Sequence, residues 1–115
     1  MKQVVDVEGL PKAGPYSLAV RSGNLLYLSG QTGEGMQFEE QFRNAMNKIG
    51  KILAAAGSSY DRVLKVTVYL SERSFFKEMN LIYSEYFTSR HPARTTVVAS
   101  FPNEKTLVEV DVIAE

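Results

Sequence analysis

The segment between residues 38 and 56 constrains the fold most, because its apolar residues recur with helical spacing. Successive apolar positions lie three or four residues apart: Phe38, Phe42, Ala45, Ile49, Ile52 and Ala56. A stripe of this period is one face of an amphipathic helix, and that face must be buried against another element. Gly57 suits the position after the helix C-terminus, and Gly50 inside the helix indicates close packing against a sheet.

A strand follows this helix, because Val63–Leu70 alternates between apolar and more polar residues. The pattern assigns one set of side chains to the buried face: Leu64, Val66, Val68 and Leu70. The opposite face then carries Lys65, Thr67 and Tyr69. Alternation with a period of two is typical of a strand in a half-buried sheet.

The rest of the chain supplies further strands and a second helix. Gly23-Asn24 joins two apolar runs, and glycine at the first central position is typical of a type II′ hairpin turn. Ser74 is a candidate N-cap for a second helix that runs to about Ser89. The other predicted strands are Gln3–Val7, Ser17–Ser22, Leu25–Ser29, Arg94–Ala99 and Leu107–Ala114. This β-ββ-α-β-α-ββ order predicts one α+β domain over residues 1–115, with both helices on one face of a mixed sheet.

The sheet face away from the helices is expected to be partly apolar. Its predicted residues are Ala19, Tyr27, Thr67, Tyr69, Leu107 and Ile113. Two helices that are already packed on the first face cannot cover this surface. An exposed apolar patch on a small domain usually contacts a partner, and a second copy of the chain is the simplest one.

Charge and cysteine content exclude several classes of function. Thirteen Lys and Arg residues balance thirteen Asp and Glu residues, so the chain lacks the basic surplus that nucleic-acid binding requires. With no Cys and a single histidine, His91, the chain offers no thiolate metal site, and we expect neither a metal nor a cofactor. No apolar run approaches the roughly 20 residues of a membrane span, and the first residues show no signal-peptide pattern. We therefore expect a soluble cytoplasmic protein.

Arg94 and Glu109 are the polar residues whose positions most suggest chemistry. Arg94 opens one predicted strand, and Glu109 interrupts the valines of the last strand. An antiparallel hairpin centred near Pro102-Asn103 would make these strands neighbours and bring the two side chains together. They would then form either a cross-strand ion pair on a solvent face, or an anion-binding guanidinium beside a carboxylate that handles a proton or a water. The residues alone leave both interpretations open.

Seven short motifs occur in one order that closely resembles the reactive-intermediate deaminase (Rid/YjgF-type) family. Members of this family are also labelled L-PSP endoribonucleases or translation inhibitors. The resemblance runs essentially from end to end of the chain. The motifs are Gly14-Pro15-Tyr16-Ser17, Gly23-Asn24-Leu25, Ser29-Gly30-Gln31, Ala55-Ala56-Gly57-Ser58-Ser59, Lys65-Val66-Thr67-Val68-Tyr69-Leu70, Pro92-Ala93-Arg94-Thr95 and Val108-Glu109-Val110-Asp111-Val112-Ile113-Ala114.

The resemblance implies a chorismate-mutase-like fold, a homotrimer with sites between subunits, and no cofactor. The implied activity is hydrolytic deamination of reactive enamines and imines of the 2-aminoacrylate and 2-aminocrotonate type. A 2-iminobutanoate/2-iminopropanoate deaminase of this kind releases 2-keto acids and ammonia. Carried over by position, Arg94 would bind the substrate carboxylate, and Glu109 would activate or orient water, helped by the backbone around Thr96. The implied pocket residues are Tyr16, Ser29, Gly30 and Asn80.

Three positions depart from the common pattern of this family. The loop Thr32-Gly33-Glu34-Gly35 is shorter than usual and borders the implied pocket, so it bears on substrate size. Thr96 stands where many relatives carry Cys, and Asp111 stands where Glu is frequent. Arg94 is present, and branches of the family that lack this arginine are not expected to share the deaminase activity.

Two other functions remain open. A module that binds a 2-keto acid or another small carboxylate without turnover would need the Arg94 guanidinium but not Glu109. An endoribonuclease rests on the family label alone, and the chain has neither a basic stripe nor a surplus of positive charge to support it.

Overall fold

The structure, a computed structural model, describes all 115 residues and confirms the predicted order of the elements. Short 3-10 turns at Tyr60–Arg62 and Arg73–Phe75 precede the fourth strand and the second helix. The helices and strands are β1 (Gln3–Val5), β2 (Ala19–Ser22), β3 (Leu25–Leu28), α1 (Phe38–Ala55), β4 (Val63–Leu70), α2 (Phe76–Tyr86), β5 (Ala93–Val98) and β6 (Val108–Ala114).

The six strands form one mixed sheet in the order β1-β2-β3-β6-β4-β5. All neighbouring strands are antiparallel except β4 and β5, which run parallel. The helix α2 connects β4 to β5, and a helical crossover is the usual link between parallel neighbours. Because β6 pairs with both β3 and β4, the strands β1 and β5 form the two edges of the sheet.

The predicted hairpin between the last two strands is wrong, because β4 lies between β5 and β6. Residues 99–107 connect the edge of the sheet to its interior, and nothing pairs Arg94–Ala99 with Leu107–Ala114. Arg94 and Glu109 therefore do not approach each other across a pair of adjacent strands.

Both helices pack on the same face of the sheet, so the predicted α+β architecture is confirmed. The stripe of α1 faces inward, and its Phe42 and Ile49 side chains are fully buried. They join Val66 of β4 and Val110 of β6 in one cluster of 22 buried hydrophobic residues. Neither helix combines the length and apolar character that crossing a bilayer would require.

Two glycines have the backbone conformations that their sequence positions predict. Gly23 has a φ of 57°, and Asn24 is not among the residues with positive φ, as a type II′ turn requires. This turn joins β2 to β3 through the Ser22–Leu25 pair. Gly57 has a φ of 77° and directly follows Ala56, the C-cap residue of α1, at the position where a left-handed residue ends a helix.

Two residues lie on the face of the sheet opposite to the one predicted. The pairing of β4 with β6 shifts register between Val63 and Lys65, and this irregularity turns Leu64 towards solvent. Ala19 is fully buried and pairs with Leu28, so it belongs to the core rather than to the open face.

Three further predictions about the helices differ from the structure. The Ser74 hydroxyl donates to Glu72 and does not cap α2, which begins after a 3-10 turn and ends at Tyr86 rather than near Ser89. Gly50 faces Tyr60 rather than the sheet, and a Cβ atom at Gly50 would lie 3.0 Å from Tyr60 Cζ. The Tyr60 hydroxyl donates to the Met46 carbonyl at 2.6 Å, which holds the ring in this place.

The face of the sheet away from the helices has no helix over it, as predicted. Tyr27 is 44% exposed, and Thr67, Tyr69 and Ile113 are half-buried. Leu107 precedes β6 and packs against the core, so it does not belong to this face. We call the surface formed by Tyr27, Thr67, Tyr69 and Ile113 the open face.

Candidate functional site

A cavity of about 520 Å³ lies beside Glu109, where two loops meet the ends of β3 and β6. One wall comes from the loop before β2 and from the residues after β3, and the other comes from the connection between β5 and β6. Its lining residues are Ala13, Tyr16, Ser29, Gly30, Thr32, Phe101, Pro102, Asn103, Thr106 and Glu109. The structure therefore brings together four residues predicted for the site: Tyr16, Ser29, Gly30 and Glu109.

Gly30 lies directly against the carboxyl group of Glu109. A Cβ atom at Gly30 would overlap the Glu109 Oε2 atom and lie 3.0 Å from its Cδ atom. Glycine is thus the residue that lets the backbone pass this close to the carboxylate. The next residue, Gln31, forms an antiparallel bridge to Val110, which fixes the segment beside β6.

Glu109 is a half-buried carboxyl group that forms no ion pair. Burial raises the pKa of Glu109, and the nearby negative charge of Asp111 raises it further. The Tyr69 hydroxyl donates to Asp111 Oδ2 at 2.7 Å, so Asp111 has its own partner on the open face. A carboxylate with a raised pKa and no ion-pair partner is suited to accept a proton from water.

Hydrogen bonds of Ser29 and Tyr16 hold their wall of the cavity in place. The Ser29 hydroxyl donates to the Ser17 carbonyl at 2.6 Å, and the Ser29 amide donates to the Leu18 carbonyl at 2.9 Å. The Tyr16 hydroxyl accepts a hydrogen bond from the Ala13 amide at 3.1 Å, which closes the loop on itself. Both side chains face the cavity while they stabilise its wall.

Arg94 lies elsewhere, against the aromatic side chains of α2. Its guanidinium carbon is 4.8 Å from the ring centroid of Tyr83 and 5.8 Å from that of Phe76. Its one side-chain hydrogen bond runs from Nη1 to the Met79 sulfur at 3.7 Å. No carboxylate forms an ion pair with Arg94, so aromatic contacts hold the guanidinium in place and its other donors remain available to an anion.

Asn80 and Thr96 belong to the same region as Arg94. Asn80 is four residues after Phe76 and three before Tyr83, so it lies on the helical stripe that contacts the guanidinium. Thr96 is two residues after Arg94 on β5 and shares its side of the sheet. The Thr96 hydroxyl is buried and has no hydrogen-bond partner.

Arg94 and Glu109 lie on opposite faces of the sheet. Arg94 pairs with Val66, which belongs to the core face, whereas Glu109 pairs with Tyr69 of the open face. They are two strands apart, about 10 Å, and are offset by three residues along the strands, about another 10 Å. One chain therefore carries two separate half-sites: the acid half-site of Tyr16, Ser29, Gly30 and Glu109, and the arginine half-site of Asn80, Arg94 and Thr96.

Sequence reasoning missed the part of the cavity that comes from the connection between β5 and β6. Phe101, Asn103 and Thr106 line the cavity, but the sequence suggests only a turn at Pro102-Asn103. These residues follow no periodic pattern and form no known ligand motif. Only the position of β6 inside the sheet places their loop beside Glu109. No three His, Asp or Glu side chains come together in a group that could hold a metal ion.

The chain matches known proteins over nearly its whole length. The profile of the family described as endoribonuclease L-PSP matches residues 8–115. A RutC family protein of Pyrococcus horikoshii is 42% identical, over 99% of this chain and 98% of its own. The chloroplastic Reactive Intermediate Deaminase A of Arabidopsis thaliana is 40% identical, over 98% of this chain and 65% of its own.

Solved structures give the same result. A Rid-family protein from Yersinia pestis superposes with a TM-score of 0.93 at 33% identity, covering 99% of this chain and 98% of its own. RidA from an Antarctic Psychrobacter superposes with a TM-score of 0.92 at 32% identity, covering 97% and 98% respectively. The resemblance in the sequence motifs is thereby confirmed, and the chain belongs to the Rid/YjgF (endoribonuclease L-PSP) family.

Proposed function

We propose that this protein hydrolyses reactive enamine and imine intermediates of the 2-aminoacrylate and 2-aminocrotonate type to 2-keto acids and ammonia. The observation that carries the proposal is the carboxylate of Glu109, which has no ion-pair partner, has a raised pKa and lines a cavity. The relative named Reactive Intermediate Deaminase A supports the same reaction class.

The reaction does not require the protein to activate the substrate strongly, because the carbon of the imine is already electrophilic. Water adds to C2 of the protonated imine while Glu109 accepts a proton from it, and the electron pair of the C=N bond moves to nitrogen. Glu109 returns this proton to the amine and then accepts the hydroxyl proton as the carbinolamine collapses to the C=O group and expels ammonia. Release of that last proton to solvent restores the carboxylate. Positioning the substrate carboxylate and one water is the remaining requirement.

Arg94 is the group we assign to the substrate carboxylate. A guanidinium fork binds a carboxylate through two parallel hydrogen bonds, and this arrangement fixes orientation as well as position. The rings of Tyr83 and Phe76 hold the fork without neutralising it. Asn80 and Thr96 supply further polar groups beside it.

A working site then needs two chains, because the two half-sites lie on opposite faces of one sheet. We propose that the arginine half-site of one chain meets the acid half-site of a second copy, in a homotrimer. Two features support this arrangement. The open face lacks a helix, and the edge strand β5 exposes Val97 and Val98, at 40% and 57%. Burial of such an edge and face is the usual role of a partner subunit.

The direct experiment feeds the purified protein with imine from a pyridoxal-phosphate threonine dehydratase and measures the release of ammonia. The proposal expects faster release than in the uncatalysed reaction, and expects Glu109→Gln and Arg94→Ala each to abolish the increase. Binding of 2-oxobutanoate without any acceleration of ammonia release would instead identify a 2-keto acid binding module.

A further inference from the structure

We propose that Gln41 is a positioning residue that fixes the two loops beside the Glu109 cavity and thereby limits the size of the substrate side chain. The first loop comprises residues 32–36, and the second comprises residues 103–107. The inference rests on the proposed function for its substrate, but its central contacts are independent of any reaction.

Gln41 is a buried polar side chain on the inner face of α1, with 4% of its surface exposed. Its Nε2 atom donates to the Gly35 carbonyl at 3.0 Å and to the Lys105 carbonyl at 3.0 Å. Its Oε1 atom accepts from the Leu107 amide at 2.8 Å. Both amide donors and the acceptor of Gln41 are thus used, and all three bonds end on the backbone of the two loops.

These two loops face each other beside Glu109. Thr32, from the first loop, and Asn103 and Thr106, from the second, line the cavity. The same three residues also line an adjoining cavity of about 280 Å³, together with Gln41 itself. Gln41 therefore lies at the junction where a change in the separation of the loops changes the width of the site.

The first loop rests on α1 with no space to move inward. A Cβ atom at Gly33 would lie 2.7 Å from the Ala45 backbone nitrogen and would overlap the Gln41 carbonyl. Asn44 donates to the Glu34 carbonyl at 2.7 Å, and Lys48 donates to the Thr32 carbonyl at 3.0 Å. This loop is therefore a fixed wall of the cavity rather than a lid that closes over it.

The second loop has fewer such contacts. The Lys105 amide is bonded to the Asn103 side chain, and the Thr106 amide is bonded to the Asn103 carbonyl, so these bonds stay within the loop. The side-chain bonds of Gln41 are the ones that tie this loop to α1. Their removal leaves two part-buried carbonyls and one part-buried amide without a partner in the chain, and outward movement of the second loop lets these groups bond to water instead.

The test compares Gln41→Met with Gly50→Ala as a matched control. Methionine preserves volume and helix propensity but has no hydrogen bond to offer the loops. Gly50→Ala crowds Tyr60 on α1, and Tyr60 lines none of the cavities beside Glu109. Two quantities are measured at a temperature well below the unfolding transition. They are the rate of amide hydrogen exchange in the two loops, and the ratio of kcat/KM for the imine of alanine to kcat/KM for the imine of phenylalanine.

The inference expects Gln41→Met to speed exchange in residues 103–107 by at least tenfold and to reduce the preference for the smaller imine about tenfold. Gly50→Ala should change neither quantity, although it destabilises the fold. A Gln41→Met protein with wild-type loop exchange, or with faster exchange but an unchanged ratio, would overturn the inference.

Gln41→Glu provides a second variant if the methionine protein fails to fold. It retains the acceptor for the Leu107 amide but, when ionised, has no donor for the two carbonyls. The protection factors of the second-loop amides, which correct for the intrinsic pH dependence of exchange, should rise as the pH falls and the introduced carboxyl regains a proton, and pH-independent protection factors would contradict the inference. If the wild-type protein hydrolyses no imine, the proposed function fails. Loop exchange and the affinity ratio for pyruvate and phenylpyruvate then still decide the role of Gln41.

Discussion

The Cα atom of Gly30 lies so close to the Glu109 carboxyl group that a Cβ atom at residue 30 would overlap Glu109 Oε2. The carboxylate thus takes its position from a glycine on a neighbouring segment as well as from its own strand. Because Gly30 has an ordinary negative φ, an alanine fits the backbone there and fails only against Glu109.

Gly30→Ala should therefore displace the carboxylate and lower turnover by roughly 10²-fold, the loss that a misplacement of about 1 Å produces. The fold should remain, since Glu109 can rotate towards the cavity. The measurement is imine hydrolysis together with the thermal unfolding midpoint. Full activity in a folded Gly30→Ala protein would show that the position of Glu109 is unimportant.

Arg94→Lys should remain folded and lose most of its activity. Lysine keeps the positive charge but not the planar fork, so the substrate carboxylate loses its orientation more than its attraction. One lost charge-assisted hydrogen bond corresponds to about 1.5–3 kcal/mol, or about ten- to a hundredfold in kcat/KM. Wild-type kinetics in this variant would remove Arg94 from the site.

Glu109→Gln separates an enzyme from a binding module. The amide keeps the size of the side chain but cannot accept a proton, so turnover should fall by roughly 10²–10⁴, the usual contribution of a general base. Affinity for 2-oxobutanoate, measured by calorimetry on the same variant, should persist because Arg94 is intact. Near-normal ammonia release would contradict the catalytic role of Glu109.

The raised pKa of Glu109 also predicts a dependence on pH. Since the base form is required, kcat/KM should increase with pH through a pKa above the ordinary 4.5 of glutamate.

The contribution of Glu109 to stability should depend on pH in the opposite direction. The folded chain binds the proton of Glu109 more tightly than the unfolded chain, so this contribution to the free energy of unfolding is present at low pH and is lost as pH rises through the raised pKa. In Glu109→Gln, both effects should disappear from kinetic and denaturation profiles, and their persistence would assign them to another group.

The sequence predicts the elements of this fold better than their neighbours in the sheet. The stripe from Phe38 and the alternation after Val63 determine α1 and β4, because burial imposes a period on each element. The pairing of strands depends on the whole chain. The helix between β4 and β5 links a parallel pair, and β6 lies between β3 and β4, so the last two strands do not form the hairpin that their closeness in sequence suggests.

The residues of the candidate site also differ in how far the sequence predicts them. Gly30, Ser29 and Tyr16 come together with Glu109 because short segments hold them there, and motif resemblance was enough to name them. Phe101 and Thr106 enter the cavity only through the placement of β6. Arg94 and Glu109 are separated because they pair with β4 residues whose side chains lie on opposite faces of the sheet. No local sequence pattern determines these two pairings.

The central claim is that Arg94 of one chain and Glu109 of another act on the same substrate, and mixing two inactive variants tests it most directly. Arg94→Ala and Glu109→Gln chains are each purified, mixed in equal amounts, unfolded, refolded together and assayed for ammonia release. If sites form between neighbours in a ring, random mixing gives about a quarter of all sites an intact Arg94 together with an intact Glu109, so about a quarter of wild-type activity should return. If each site belongs to a single chain, every site lacks one of the two residues. Activity no higher than that of the separate variants would contradict the account.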